Sequence, residues 1–155
     1  YVSWTEEGHR FAWHMKLRAK RSQVSFRVED AGGNPLTDFA QPADYLERKQ
    51  YRVMAGRPDM VLQYAHHLAA QYRSRGIDGV RVYADSSVSL NRRPAEPLIN
   101  PHVDLASEPR HLWHADWLMP MTGQRPSLEE VREARRRRES SAATSKPAPQ
   151  TGQAR

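Results

Sequence analysis

The sequence predicts an α+β domain: a β-hairpin, a helix pair, then strands forming a small sheet with helices on one face, followed by a disordered basic tail. Three observations carry this. Apolar side chains alternate with polar ones near the N-terminus, switch to helical spacing between about residues 43 and 72, and return to alternation from Val80. Strands, then helices, then strands describe a sheet with its helices gathered on one side.

Each element follows in order. Phe11, Trp13, Met15 and Leu17 occupy alternate positions with His14 and Lys16 between them, which is strand periodicity. A polar turn is expected around Arg21-Ser22, after which Val24, Phe26 and Val28 resume the alternation until Asp30-Ala31-Gly32-Gly33-Asn34-Pro35 breaks it. The pair reads as a hairpin. From Ala43 to Ala55, Leu46, Gln50, Val53 and Met54 mark a helical face, with Gly56 where a C-terminal cap belongs. Pro58 and Asp59 open a second helix whose stripe is Met60, Val61, Tyr64, Ala65, Leu68, Ala69 and Tyr72, ending at Gly76. Val80, Val82 and Ala84, then Val88 and Leu90, give either a strand pair or one long strand bent near Ser86-Ser87. Asn91-Arg92-Arg93-Pro94 is a turn, and the proline-punctuated stretch to Pro120 is expected to be irregular.

Length and charge limit the possibilities. The chain has 155 residues, 24 Lys plus Arg against 18 Asp plus Glu, and a net charge of +6. Residues 1–120 form the expected domain, with 16 basic and 14 acidic residues, while 121–155 carry 8 basic and 4 acidic. The tail has only Leu128 and Val131 as branched aliphatic side chains, so burial cannot offset its ordering entropy. A short helix over 127–138 fits Ser127 as N-cap with Glu130 three residues on. The run Arg135 to Arg138 has no interleaved aromatics for base stacking, which favours a solvated tail over a nucleic-acid contact. No cysteine is present, which excludes disulfides, thiolate metal sites and thiol nucleophiles. No apolar run approaches the roughly 20 residues of a membrane-spanning helix. The start at Tyr1, without an initiator Met or a signal-peptide pattern, reads as a piece of a longer protein.

Chemistry-bearing residues are scattered. His111 and His114 with Asp116 nearby have helical ligand spacing, but the segment lacks a helical apolar pattern and a further ligand, so no metal site is expected. His66-His67 reads as a partly exposed helix position. Glu6, Glu7, Asp59, Asp85 and Asp104 are single carboxylates, and there is no phosphate loop or nucleophile elbow.

The chain resembles the vitamin K-dependent γ-glutamyl carboxylase family, including its bacterial relatives with the horizontally transferred transmembrane domain. The likeness is carried by Trp4-Thr5 with Trp13 and Met15, Asp59-Met60 with Gln63-Tyr64-Ala65, and Tyr83-x-Asp85-x-x-Val88-Ser89-Leu90-Asn91-x-Arg93. Ile99-x-Pro101-x-Val103-Asp104 follows, then Trp117 with Pro120. These motifs keep the family's order and spacing over nearly all of residues 1–120 and none of the tail.

The resemblance implies the exterior part of a membrane enzyme, inactive alone. The absent membrane part would bind vitamin K hydroquinone and supply the initiating lysine. With oxygen, the reduced vitamin generates a strong base that removes a γ-proton from a glutamate. The carbanion adds CO₂ and the vitamin becomes an epoxide. The implied partners are the protein's own transmembrane domain and a glutamate-containing peptide or protein, with the membrane reached through the missing helices. No metal and no catalytic residue are implied in this part. The family's glutamate-binding segment falls on residues 8–18, which implies substrate contacts for His9, Arg10, Phe11, Trp13, Met15 and Arg18. His9 stands where the animal enzymes carry tyrosine, Asn100 where the family often has Asp, and Arg92 where a small or acidic residue is usual. Arg10 or Arg18 could hold a carboxylate by charge-assisted hydrogen bonds while Trp13 excludes water. Phe11, Trp13, Met15 and Leu17 could equally form the inner face of a hairpin. A non-catalytic partner-binding domain and a basic nucleic-acid-binding module are the alternative functions.

Overall fold

A computed structural model describes residues 2–7, 19–36, 41–110 and 115–123, with Ser127, Glu129, Glu133 and Arg136 beyond them. The expected strand at 11–17, residues His111 and His114, and Arg135, Arg137 and Arg138 lie outside the described residues. Two compact units are present, 1–123 and 124–155. In the second, Glu129, Glu133 and Arg136 are helical.

The first unit runs α1 (Val2–Thr5), β1 (Lys20–Glu29), β2 (Pro35–Leu36), a 3₁₀ turn at Pro42–Asp44, α2 (Arg48–Ala55), α3 (Pro58–Ser74) and β3 (Arg81–Leu90). The sheet is antiparallel with order β2-β1-β3. It is an α+β fold, as the sequence predicts. Val24, Phe26 and Val28 of β1 and Val82, Ala84, Val88 and Leu90 of β3 are buried with Val61, Leu62, Ala65, Leu68 and Tyr72 of α3 and with Met54 of α2. Strand alternation therefore turns Gln23, Ser25, Asp85 and Ser87 to the opposite, exposed face.

Two local expectations are corrected. Arg21 and Ser22 form no turn: they lie inside β1, opposite Ser89 and Val88. Polar side chains do not end a strand whose backbone is paired, and a turn at Asp30–Asn34 joins β1 to β2. There Asp30 Oδ1 accepts from the N–H groups of Gly32 and Asn34, both at 2.8 Å, and Gly33 takes φ +85°. The first helix begins at Arg48, later than its spacing suggests, because Glu47 and Gln50 form a reciprocal capping box. Gln50 is thus a cap and not part of an apolar face; Val53 is 41% exposed, and Tyr51 turns toward β1 instead. Of the two alternatives for the alternation from Val80 to Leu90, the structure has the single strand: β3 (Arg81–Leu90) is continuous, and Ser86 takes the inward position between Ala84 and Val88.

Helix α3 ends as its sequence requires. Gly76, at φ +82°, donates to Arg73 O and Ile77 donates to Tyr72 O, the paired bonds of a glycine-terminated helix.

The end of the unit is tied down by Glu96. Its carboxylate accepts from Thr122 N–H at 2.8 Å, Thr122 Oγ1 at 2.9 Å and Gly123 N–H at 2.6 Å. These bonds, led by the Thr122 backbone N–H, favour the ionised form and hold the carboxyl below its usual range, with Arg93 adding in the same direction. The anchor is therefore present above the ordinary carboxyl range and is released as pH falls through the lowered value. The amide resonances of Thr122 and Gly123 should shift together at that lower pH, and Glu96→Gln should abolish the step. A transition at the ordinary glutamate value would contradict the anchor. A chain ended at Gly123 should keep its thermal midpoint within about 2–4 °C of the full chain, the shift expected for about 1 kcal/mol. Ending it at Met121 should lower the midpoint further.

Candidate functional site

All six candidate substrate residues, His9, Arg10, Phe11, Trp13, Met15 and Arg18, lie outside the described residues. Their flanks are described, and they converge. Lys20 Nζ donates to Trp4 O at 2.7 Å and to Gly56 O at 2.7 Å, and it pairs with Glu6 Oε1 at 3.3 Å. Glu7 Oε1 accepts from Ala115 N–H at 2.9 Å. On the other flank, Ala19 N–H donates to Asn91 Oδ1 at 2.9 Å while Asn91 N–H donates to Ala19 O at 2.8 Å. Asn91 adopts φ 53°, a left-handed conformation that asparagine tolerates better than most residues. Both ends of segment 8–18 are thus fixed at one edge of the unit.

Most of the other motif residues shape the scaffold. Trp4 is 2% exposed and its Nε1 donates to Met119 O at 2.8 Å. Trp117 is buried, and its carbonyl accepts from Asn100 N–H at 2.9 Å. Asp59 stands in the first turn of α3, where a carboxylate complements the helix dipole. Arg93 Nη1 meets Met121 Sδ at 2.8 Å. Asp104 Oδ1 accepts from Val82 N–H at 2.8 Å and Ala106 N–H at 3.0 Å, so a side chain supplies what a neighbouring strand would give β3. Tyr83, Asp85 and Pro101 are different, since they border the open face of the sheet.

That face carries a cavity of about 440 Å³. Three successive cross-strand pairs line its base, Gln23 with Ser87, Val24 with Ser86 and Ser25 with Asp85. One wall comes from Gln41, Pro42, Ala43 and Tyr51, the other from Pro97, Ile99 and Pro101. Tyr51 is placed by its hydroxyl, which accepts from Val24 N–H and donates to Val24 O, each at 3.1 Å. The opposite wall is held by Ser86, whose Oγ accepts from Leu98 N–H at 3.0 Å and Ile99 N–H at 2.9 Å. Among the described residues Asp85 is the one carboxylate lining the cavity. Its diagonal neighbour Arg27 is engaged elsewhere, 5.0 Å above the Tyr83 ring and 3.4 Å from Glu29.

The sequence reading singled out Asp85 and Pro101 but missed Gln23, Ser25, Gln41 and Ser87. Polar residues on a strand's wet side carry no signal of their own. Their period-2 offset from Val24, Phe26 and Val88 was the available clue. Among the described residues no group of three or more His, Cys, Asp or Glu could hold a metal ion.

Ser86→Ala should loosen the Pro97–Pro101 wall, because it strands the N–H groups of Leu98 and Ile99, both 1% exposed. An unsatisfied buried donor costs about 1–3 kcal/mol, and denaturant unfolding should register a loss of at least that size. Asp104→Asn, which keeps a carbonyl oxygen for Val82 and Ala106, should cost less than Asp104→Ala in the same measurement.

No solved structure matches the chain. Among the described residues no helix is long and apolar enough to cross a membrane. A family model described as "Vitamin K-dependent gamma-carboxylase, lumenal domain" matches residues 1–124, the whole of the first unit and one residue more. The buried Trp4 and Trp117, the Asn91 clamp and the Asp104 brace all fall within that match, and the chain belongs to the family of vitamin K-dependent γ-carboxylase lumenal domains.

Proposed function

We propose that this domain is the extracytoplasmic, substrate-side part of a membrane γ-carboxylase-like protein, and that segment 8–18 presents the glutamyl substrate to chemistry carried out by a transmembrane part. The family match over the whole first unit is the observation that carries this reading. The convergent anchoring of Glu6, Glu7, Ala19 and Lys20 supports it, since a segment held at both ends loses less entropy when it orders a substrate.

None of the described residues is assigned to vitamin K in this reading. The cavity they line joins amide, hydroxyl and carboxylate groups to walls of proline, alanine, tyrosine and isoleucine. Lys20 is committed to two carbonyls and a carboxylate, which is a structural arrangement and not that of a free base. In this reading the quinone, CO₂ and oxygen meet in the membrane part, and this domain binds and positions the glutamate.

The test uses the full-length protein with a glutamyl peptide, reduced vitamin K, bicarbonate and oxygen. Arg18→Ala and His9→Ala should raise the Michaelis constant for the peptide while leaving folding and vitamin K dependence nearly unchanged. Trp13→Phe is a better probe there than Trp13→Ala, because deleting a buried aromatic costs about 3–5 kcal/mol whatever its function. The chain 1–155 alone should show no turnover. Turnover by the chain alone, or an unchanged Michaelis constant in all three variants, would overturn the assignment. A full-length protein that folds but never carboxylates would instead favour the non-catalytic partner-binding function.

A further inference from the structure

The cavity beside β1 and β3 is lined by described residues. Its volume, about 440 Å³, falls in the range of ligand sites, and its shape is set by elements held from behind. Tyr51 is fixed by two bonds to Val24, and the far wall is fixed by two bonds to Ser86. Pro42, Pro97 and Pro101 restrict both rims, so little ordering is needed on binding.

The charge pattern identifies the ligand. The chain as a whole has net charge +6, yet among the described residues this cavity presents a carboxylate and no cation. Asp85 is exposed on the floor, opposite the neutral Ser25. Arg27, one cross-strand pair along, is engaged by Glu29 and Tyr83. Arg21, two pairs the other way on the same face, does not line the cavity. A cationic group entering the trough would therefore meet a carboxylate that no neighbouring side chain has neutralised. Gln23, Gln41 and Ser87 around it offer amides and hydroxyls, the partners that peptide N–H and C=O groups require.

We propose that this trough receives a basic side chain, arginine or lysine, of an extended peptide, with Asp85 as its counter-ion and Gln23, Gln41 and Ser87 as partners for the flanking backbone. Arginine is the better fit, because its planar fork pairs with a carboxylate through two parallel hydrogen bonds. The site is open to water, so binding is weak for a single side chain and falls with added salt. It serves as a secondary contact on a longer polypeptide. The proposal rests on the cavity alone and does not depend on the carboxylase reading.

The test is a nuclear magnetic resonance titration of the full 155-residue chain with acetyl-Ala-Arg-Ala-amide, following the amides of Gln23, Ser25, Asp85 and Ser87. The matching citrulline peptide has the same shape without the charge. The arginine peptide should shift these amides saturably, and the citrulline peptide should bind at least about tenfold more weakly, a difference of about 1.4 kcal/mol. Asp85→Asn should reduce the arginine peptide to the citrulline level, whereas Asp78→Asn, an exposed carboxylate outside the trough, should change nothing. Ser87→Trp, which fills the trough and leaves Asp85 in place, should also block binding, so the proposal remains testable even if one variant folds poorly. Equal binding of the two peptides, shifts confined to other surfaces, or undiminished binding in folded Asp85→Asn would overturn it. Arginine amide binding as tightly as the tripeptide would overturn the peptide part.

Discussion

The antiparallel ladder between β1 and β3, ten residues on each side, is the constraint on which the rest of the unit depends. Its buried side chains define the face that α2 and α3 cover, and its length exceeds what the rest of the sheet can pair, since β2 contributes only Pro35 and Leu36. Both strands therefore present edges with backbone groups that need partners. The fold meets this need with side chains and an irregular run. Tyr51 serves Val24 on one edge; Asp104 serves Val82 on the other, while Glu96 exchanges backbone bonds with Val88 at 2.9 and 3.0 Å.

That solution also builds the open face. Between the attachments at Val88 and at Val82, the 96–105 run is held off β3 by the Ser86 hydroxyl and becomes a wall. On the other side, α2 leans its tyrosine onto β1 and brings the Pro42 turn with it. A trough results because neither edge is finished by a flat strand. The same residues that satisfy buried polar groups thus determine where a ligand could lie, and stability and surface shape cannot be altered separately here.

The second consequence concerns the ends of the ladder. Lys20 and Asn91 sit where β1 begins and β3 stops, and both reach back to the N-terminal segment, Lys20 through Trp4 O and Glu6, Asn91 through Ala19. A partly buried ammonium with two carbonyls and a carboxylate is well satisfied, which offsets the cost of removing it from water. These contacts tie both flanks of segment 8–18 to the most regular part of the fold.

What the sequence determined by itself was whatever repeats with a fixed period. The α3 stripe from Val61 to Tyr72, the alternation of Val24, Phe26 and Val28, and the stop at Gly76 follow from local geometry, so spacing alone located them, and ordered motifs located the family. Tertiary structure decided the rest. Arg21 and Ser22 became strand because β3 paired their backbone, and Gln50 became a cap because Glu47 could reciprocate. Ser86 became a brace because two amides 12 and 13 residues away arrived beside it. Among the described residues Asp85 became the charged side chain of a cavity only once Arg27 had turned to Glu29 and Tyr83. In each case a polar side chain took its role from a partner distant in sequence or from a choice between near neighbours. Periodicity cannot report such choices, because a hydrogen bond depends on the place where two groups meet and not on the pattern in which either one recurs.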